Sequence, residues 1–161
     1  IVMTGRTPYQ GRFLGTSVND KEAVSRAFSL TKADKLKDKK FAILSGGEKQ
    51  KIVIARAVAQ TTPWMLLDEP IASLDIKNQI EIMQTLLELN RQEGVSVLMV
   101  LHDINLAGIY CDRLIMLKDG QVIAAGNTNE CLCEENLKKL YDISFFHMDT
   151  KKGQRYYYAE I

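Results

Sequence analysis

Apolar residues recur at helical spacing through Ala23, Val24, Ala27 and Leu30, which predicts a helix that Asn19 or Asp20 could cap. A connector follows in which Lys35, Lys37, Lys39 and Lys40 interleave with Asp34 and Asp38, the pattern of a solvated face. The rhythm changes near residue 41. From Phe41 on, helical stretches alternate with short apolar runs, as expected where helices cover a mostly parallel sheet. The first stretch, about Glu48 to Gln60, follows two glycines directly. The run Trp64-Met65-Leu66-Leu67 then reads as a strand buried on both faces, ending in Asp68-Glu69-Pro70. Beyond it, Asp75 stands where an N-cap would serve a helix whose Ile76, Ile80, Met83 and Leu87 form a core-facing stripe. Ser96 to Leu101 reads as a second buried strand with His102-Asp103 at its end.

Past this point the pattern becomes that of a hairpin. Arg113 to Lys118 and Gln121 to Ala125 flank Asp119-Gly120, a strong two-residue turn signal. Asn127 precedes Glu130 by three positions, a possible capping box, ahead of a helix through Leu137 and Leu140. In the tail, Arg155-Tyr156-Tyr157-Tyr158 could stack on bases, but in a near-neutral chain it fits better as an extended strand that packs its alternate faces. The chain therefore parts into residues 1–40, 41–126 and 127–161.

Charge and cysteine content narrow the function classes. Twenty-one Lys and Arg against twenty Asp and Glu leave a formal net charge of +1, without the basic excess of a phosphate-backbone binder, so nucleic acid is not an expected partner. The three cysteines, Cys111, Cys131 and Cys133, are an odd number in a sequence with no export leader, and reduced thiols are expected. Cys131-x-Cys133 lacks the further Cys or His ligands of a zinc site. The longest apolar run, Val95 to Leu101, is far short of the roughly 20 residues that span a bilayer. The opening Ile1-Val2, without an initiator Met, reads as a cut through a longer protein.

Three places carry chemistry. Ser45-Gly46-Gly47 at the head of a helix points first-turn N–H groups and a positive dipole end at whatever lies ahead, although a tight, capped helix entry would look the same. Asp68 and Glu69 fall at the C-terminal edge of a strand, where open α/β sheets place ligands. His102 follows the next strand; alone it would read as a hydrogen-bonded structural residue, as does His147.

Taken together, Leu44-Ser45-Gly46-Gly47-Glu48-Lys49-Gln50, Ala55-Arg56-Ala57, Met65-Leu66-Leu67-Asp68-Glu69-Pro70, Ser73-Leu74-Asp75 and His102 resemble, in order and spacing, the ATPases of the ATP-binding-cassette (ABC) family over Gly5 to about Tyr141. The Glu48-Lys49 continuation departs modestly from the commoner one. The resemblance implies a partial P-loop NTPase fold of the α/β class. It divides into a helical subdomain and connector (1–40), a signature helix with the C-terminal part of the ATPase core (41–126), and a C-terminal extension (127–161). It implies that Ser45, Gly46 and Gly47 contact the γ-phosphate of ATP held by an opposite copy, with Gln50 in support. Asp68 would hold Mg²⁺ through water, Glu69 would polarise the attacking water, Asp75 would belong to a loop across the dimer interface, and His102 would contact the γ-phosphate. Within the family, Gly5-Arg6-Thr7-Pro8-Tyr9-Gln10, Leu89-Asn90-Arg91 and Leu101-His102-Asp103-Ile104-Asn105 resemble importer ATPases for iron-siderophores, haem or cobalamin. Such subunits act as head-to-tail pairs on the cytoplasmic face of a membrane permease, which a substrate-binding protein serves in turn.

Nowhere does the chain contain Gly-x-x-x-x-Gly-Lys-Ser/Thr, whose backbone amides and lysine cradle nucleotide phosphates. Residues 1–161 alone are therefore expected neither to bind ATP strongly nor to hydrolyse it. A non-transport ABC protein of chromosome or repair work would show heptad insertions or basic surfaces, and neither is visible. A non-catalytic module that binds a partner ATPase through Ser45 to Gly47 stays open.

Overall fold

Helix α1 (Val18–Leu30) starts earlier than its apolar spacing suggested, because the cap is Ser17 and neither Asn19 nor Asp20. Ser17 Oγ accepts a hydrogen bond from the Asp20 N–H at 3.1 Å while the Asp20 carboxylate accepts one from the Ser17 N–H at 3.0 Å, so Asp20 closes a capping box instead of forming the cap. That carboxylate has a second task. Arg6, on a 3-10 turn Val2–Tyr9, donates from Nε to Asp20 Oδ1 at 2.9 Å and from Nη1 to the Ala59 carbonyl at 2.9 Å. Both partners of this ion pair are buried. The Arg6 hydrogen bond, reinforced by the Ser17 bonds, holds the Asp20 carboxyl below its ordinary value of 3.8.

The computed structural model describes residues 1–10, 15–151 and 153–160, and the chain falls into two units, Ile1–Val100 and Leu101–Ile161. In the first unit α1 packs with α2 (Gly46–Val58) around Val2, Phe28, Leu36, Leu44 and Ile52. The lysines of the connector are exposed as their interleaved charges suggested, but Leu36 between them is only 7% exposed and anchors that segment to the core. Strands β1 (Trp64–Leu67) and β2 (Ser96–Met99) pair in parallel, with Leu66 opposite Leu98, and helix α3 (Ile76–Glu93) makes the crossover.

Two expectations are corrected in this unit. Neither apolar run is a strand buried on both faces: on β1 Met65 is 5% exposed but Leu66 is 74% exposed, and in the second run, whose strand ends at Met99, Leu98 is 51% and Val100 49% exposed. An apolar run states what a strand tolerates, while cover comes from other elements, and here alternate residues face away from it. On α3 the buried arc is Ile82, Met83, Leu86 and Leu89, and Ile76 and Ile80 lie exposed. Both arcs satisfy helical spacing and share Met83; the buried one lies further along the helix, while the first turn projects.

In the second unit Asp103 caps helix α4 (Ile104–Tyr110), its Oδ1 accepting from the N–H groups of Asn105 and Leu106 at 2.8 and 2.9 Å. Strands β3 (Arg113–Lys118) and β4 (Gln121–Asn127) form the expected antiparallel hairpin. Its turn residues Asp119 and Gly120 take φ of 50° and 75°, the doubly left-handed conformation that suits Asp-Gly. Helices α5 (Thr128–Cys131) and α6 (Glu134–Tyr141) follow, and β5 (Phe145–Asp149) pairs antiparallel with β6 (Arg155–Ala159). The capping box at Asn127 does not form; its side-chain amide donates instead to Glu130 Oε1 at 3.3 Å. The tyrosine tail is the strand β6, with Tyr157 buried beside Met116, Cys131, Leu132 and Leu137 while Tyr156 and Tyr158 face out. His147 sits 2.9 Å from Glu134 Oε1. All three cysteines are free thiols, and burial pushes that of Cys131 up. Among the described residues no helix is long and apolar enough to cross a membrane.

Candidate functional site

The turn at Ser45 is held from several sides. Ser45 Oγ accepts from the Glu48 N–H at 3.3 Å, and Glu48 Oε2 accepts from the Ser45 N–H at 2.9 Å, a reciprocal capping box at the head of α2. Lys39 Nζ donates to the other Glu48 oxygen at 3.0 Å, so a connector lysine without an assigned function braces the cap. Chiefly the Ser45 N–H bond, and then Lys39, keep the Glu48 carboxyl below its ordinary value of 4.5. The departure at Glu48 thus acquires a structural use. Its signal, Ser-x-x-Glu ahead of a helix, is present in the sequence, as is Ser17-x-x-Asp20. With the Glu48 N–H bonded to Ser45, the amides of Gly46 and Gly47 form the remaining opening of the helix, where the dipole favours negative charge.

Gly47 is buried against α3. A Cβ there would lie 2.2 Å from Asn78 Oδ1 and 2.5 Å from Asn78 Cγ, so no other residue fits this backbone without displacement. A Cβ on Gly46 would meet only Leu74 Cδ2, at 3.5 Å, an ordinary contact. Asn78 is fixed in turn by Asp75, the N-cap of α3: the Asn78 N–H donates to Asp75 Oδ1 at 2.9 Å and its side-chain Nδ2 to Oδ2 at 2.7 Å. These two bonds hold the Asp75 carboxyl below its ordinary value of 3.8. One turn along, Lys51 and Glu81 pair at 2.7 Å and repeat the link between α2 and α3. Asn78, Lys51 and Glu81 have no local sequence signal, since only packing reveals them. Gln50 lies half-buried in the first turns of α2.

Asp68 and Glu69 leave β1 as exposed carboxylates. Glu69 takes a φ of 44° and Ser73 of 61°, conformations costly for residues with a Cβ, and the turn between them closes with the Ala72 N–H donating to the Glu69 carbonyl at 3.1 Å. Pro70 and Ile71, both buried, anchor that turn below the carboxylates. Among the described residues no group of three or more His, Cys, Asp or Glu could cage a metal. One or two adjacent carboxylates nevertheless suit Mg²⁺, which keeps several waters and shares its remaining positions with substrate phosphates. His102 belongs to the second unit, exposed and directly ahead of the capping Asp103. The structure thus joins Gly47 and Asp75 through Asn78, sets Asp68 and Glu69 on the end of β1, and carries His102 on the second unit.

Comparison with known proteins finds relatives among ABC transporter components. Residues 3–72 match the family profile described as "ABC transporter". The chain is 39% identical over 149 residues to the ferric enterobactin transport ATP-binding protein of Escherichia coli K12, covering 92% of the chain and 55% of that protein. It superposes with a TM-score of 0.93, at 27% identity, on an inward-facing metal-chelate type ABC transporter, covering 100% of the chain and 66% of the other. A further neighbour, an ATP-binding cassette solved as a dimer in a post-hydrolysis state with ADP and Pi, gives a TM-score of 0.64 and 32% identity over 80% of the chain and 54% of its own. The chain spans about half the length of the curated relatives it matches.

Proposed function

The chain belongs to the ABC-transporter ATPase family, and from that premise we propose that it supplies the signature turn and the acidic strand end of an importer ATPase subunit. Two copies of the complete subunit pair head to tail. Ser45, Gly46 and Gly47 of one copy face the γ-phosphate of ATP held by the other, through first-turn amides at the positive end of α2. Gln50 supports this turn and Asp75 lies across the interface. Asp68 would hold Mg²⁺, which when bound would neutralise charge on the transferring phosphates. Glu69 orients the attacking water and accepts its proton, which requires a carboxylate within hydrogen-bond reach of that water. His102 contacts the γ-phosphate.

Residues 1–40 act as part of the helical subdomain and connector, 41–126 as signature helix and ATPase core, and 127–161 as a C-terminal extension. The complete subunit sits on the cytoplasmic face of a permease and couples hydrolysis to its switching, with a substrate-binding protein acting indirectly. The ferric enterobactin relative and the metal-chelate neighbour support an iron-siderophore, haem or cobalamin cargo.

The observation that carries this reading is the pre-formed turn at Ser45–Gly47, within residues 1–161 that contain no Gly-x-x-x-x-Gly-Lys-Ser/Thr. Residues 1–161 therefore complete a site held elsewhere. Purified 1–161 is expected to show no ATP hydrolysis and no strong ATP binding by calorimetric titration. Turnover by this stretch alone, abolished by Glu69→Gln, would overturn that part of the reading.

A further inference from the structure

We propose that Asn78 is a positioning residue for the phosphate-facing turn, setting the pose of Gly46 and Gly47 from behind; this rests on the role given to that turn above. Three observations carry it. First, Asn78 fills the place a side chain at position 47 would take, its Oδ1 2.2 Å and its Cγ 2.5 Å from a Cβ there. The missing side chain of Gly47 and the side chain of Asn78 are two halves of one contact.

Second, the orientation of the Asn78 amide is determined. Asp75 Oδ2 is an acceptor, so the group 2.7 Å from it is the NH₂ and the carbonyl oxygen must turn to Gly47. The Asn78 N–H donates to the other Asp75 oxygen at 2.9 Å, so the same carboxylate fixes both the backbone and the side chain of residue 78. Third, a second side-chain contact joins the same helices. The Lys51–Glu81 pair at 2.7 Å ties the following turn, so α3 is held against α2 at Asn78 and again one turn along. Asn78 is half-buried, with its NH₂ engaged by Asp75 and its carbonyl oxygen against Gly47, so it acts through Gly47.

A shift of about 1 Å in groups that must meet a reacting phosphate can cost a hundredfold in rate, so a brace here bears on turnover more than on nucleotide capture. The test uses the complete subunit with its permease and reads ATPase kinetics beside thermal unfolding. Asn78→Ala is expected to lower kcat about tenfold with KM for ATP within about twofold of wild type, the pattern of an interaction expressed in the transition state. Gly47→Ala alone is expected to fall about a hundredfold or more, because its methyl collides with the amide. The Gly47→Ala/Asn78→Ala double variant removes Oδ1 and Cγ but leaves the Cβ of residue 78 at 3.1 Å from the new methyl, a contact that must give by only a few tenths of an ångström, so it is expected to recover most of the way to the Asn78→Ala level.

Full kcat in Asn78→Ala, whatever its unfolding temperature, would overturn the proposal. So would a double variant as inactive as Gly47→Ala, since the requirement at 47 would then lie elsewhere. A wild-type complete subunit without ATPase activity would instead remove the functional reading itself, and the proposal with it.

Discussion

At Ser45–Gly47 the cap, the neighbouring helix and two ion pairs all come from the same unit, whereas Asp68 and Glu69 stand exposed at the end of a strand whose Leu66 is 74% exposed. The first is a turn with its geometry already decided: Glu48 closes the cap and Asn78 leaves no room for a side chain at 47. The second has a constrained backbone, with Glu69 and Ser73 at positive φ, and carboxylates open to solvent. On the proposed reading, one short stretch prepares two halves of a reaction to different degrees. A turn that must present amides to an anion needs rigidity before the anion arrives, because each donor must already point at it. A carboxylate that must meet a metal-bound phosphate and a water acts only when those are delivered.

The largest expected effect breaks the weaker side of this pair. In the complete subunit, Glu69→Gln is expected to lower kcat by about 10²- to 10⁴-fold, the usual worth of a general base, while ATP binding by titration persists. A loss below tenfold would remove Glu69 from the chemistry. Next comes the scaffold of the stronger side. Ile54, fully buried on α2, is expected to cost about 2–5 kcal/mol when cut to Ala, measured by denaturant unfolding. A cost under 1 kcal/mol would show α2 to be loosely held.

Acid should weaken the unit that holds the turn. The carboxyls of Asp20, Glu48, Asp75 and Glu81 are held below their ordinary values of 3.8 and 4.5 by hydrogen bonds and neighbouring cations. Below those values the unfolded chain takes up protons first, so the stability they contribute is complete above about pH 4.5 and is lost as pH falls through the lowered folded values. Denaturant midpoints taken between about pH 5 and 3 should fall, and Asp20→Asn should flatten the dependence; a midpoint rising with acid would contradict the sign. The smallest expected effect is Leu66→Ala, within about 0.5 kcal/mol of wild-type stability for an exposed side chain. A cost like that of Ile54→Ala would mean this face is covered in solution.

Much of this was legible beforehand, for identifiable reasons. The turn Asp119-Gly120 announced its hairpin because few dipeptides accept two left-handed residues, and Asp68-Glu69 stood out at the end of an apolar run. Ser45-Gly46-Gly47 marked a helix start because capping chemistry is local. What escaped notice depended on distant neighbours. Ile76 and Ile80 fit the helical period yet face solvent, since spacing fixes an arc but not which part of it meets a core. Asn78 looks like an ordinary polar residue of a first turn until Gly47 is placed against it. The Arg6–Asp20 pair joins residues whose relation only the fold creates.

The central claim is that each site is shared between two copies, and mixing two inactive complete subunits tests it most directly. Ser45→Arg spoils the turn that a copy lends, and Glu69→Gln spoils the carboxylate that a copy uses for itself. If the sites are shared, a mixed pair contains one site built from the intact Glu69 of the first variant and the intact turn of the second. ATPase activity of the mixture should then rise about tenfold or more above either variant alone. A mixture no more active than its components would contradict the account, because Ser45 and Glu69 would then have to work within the same copy.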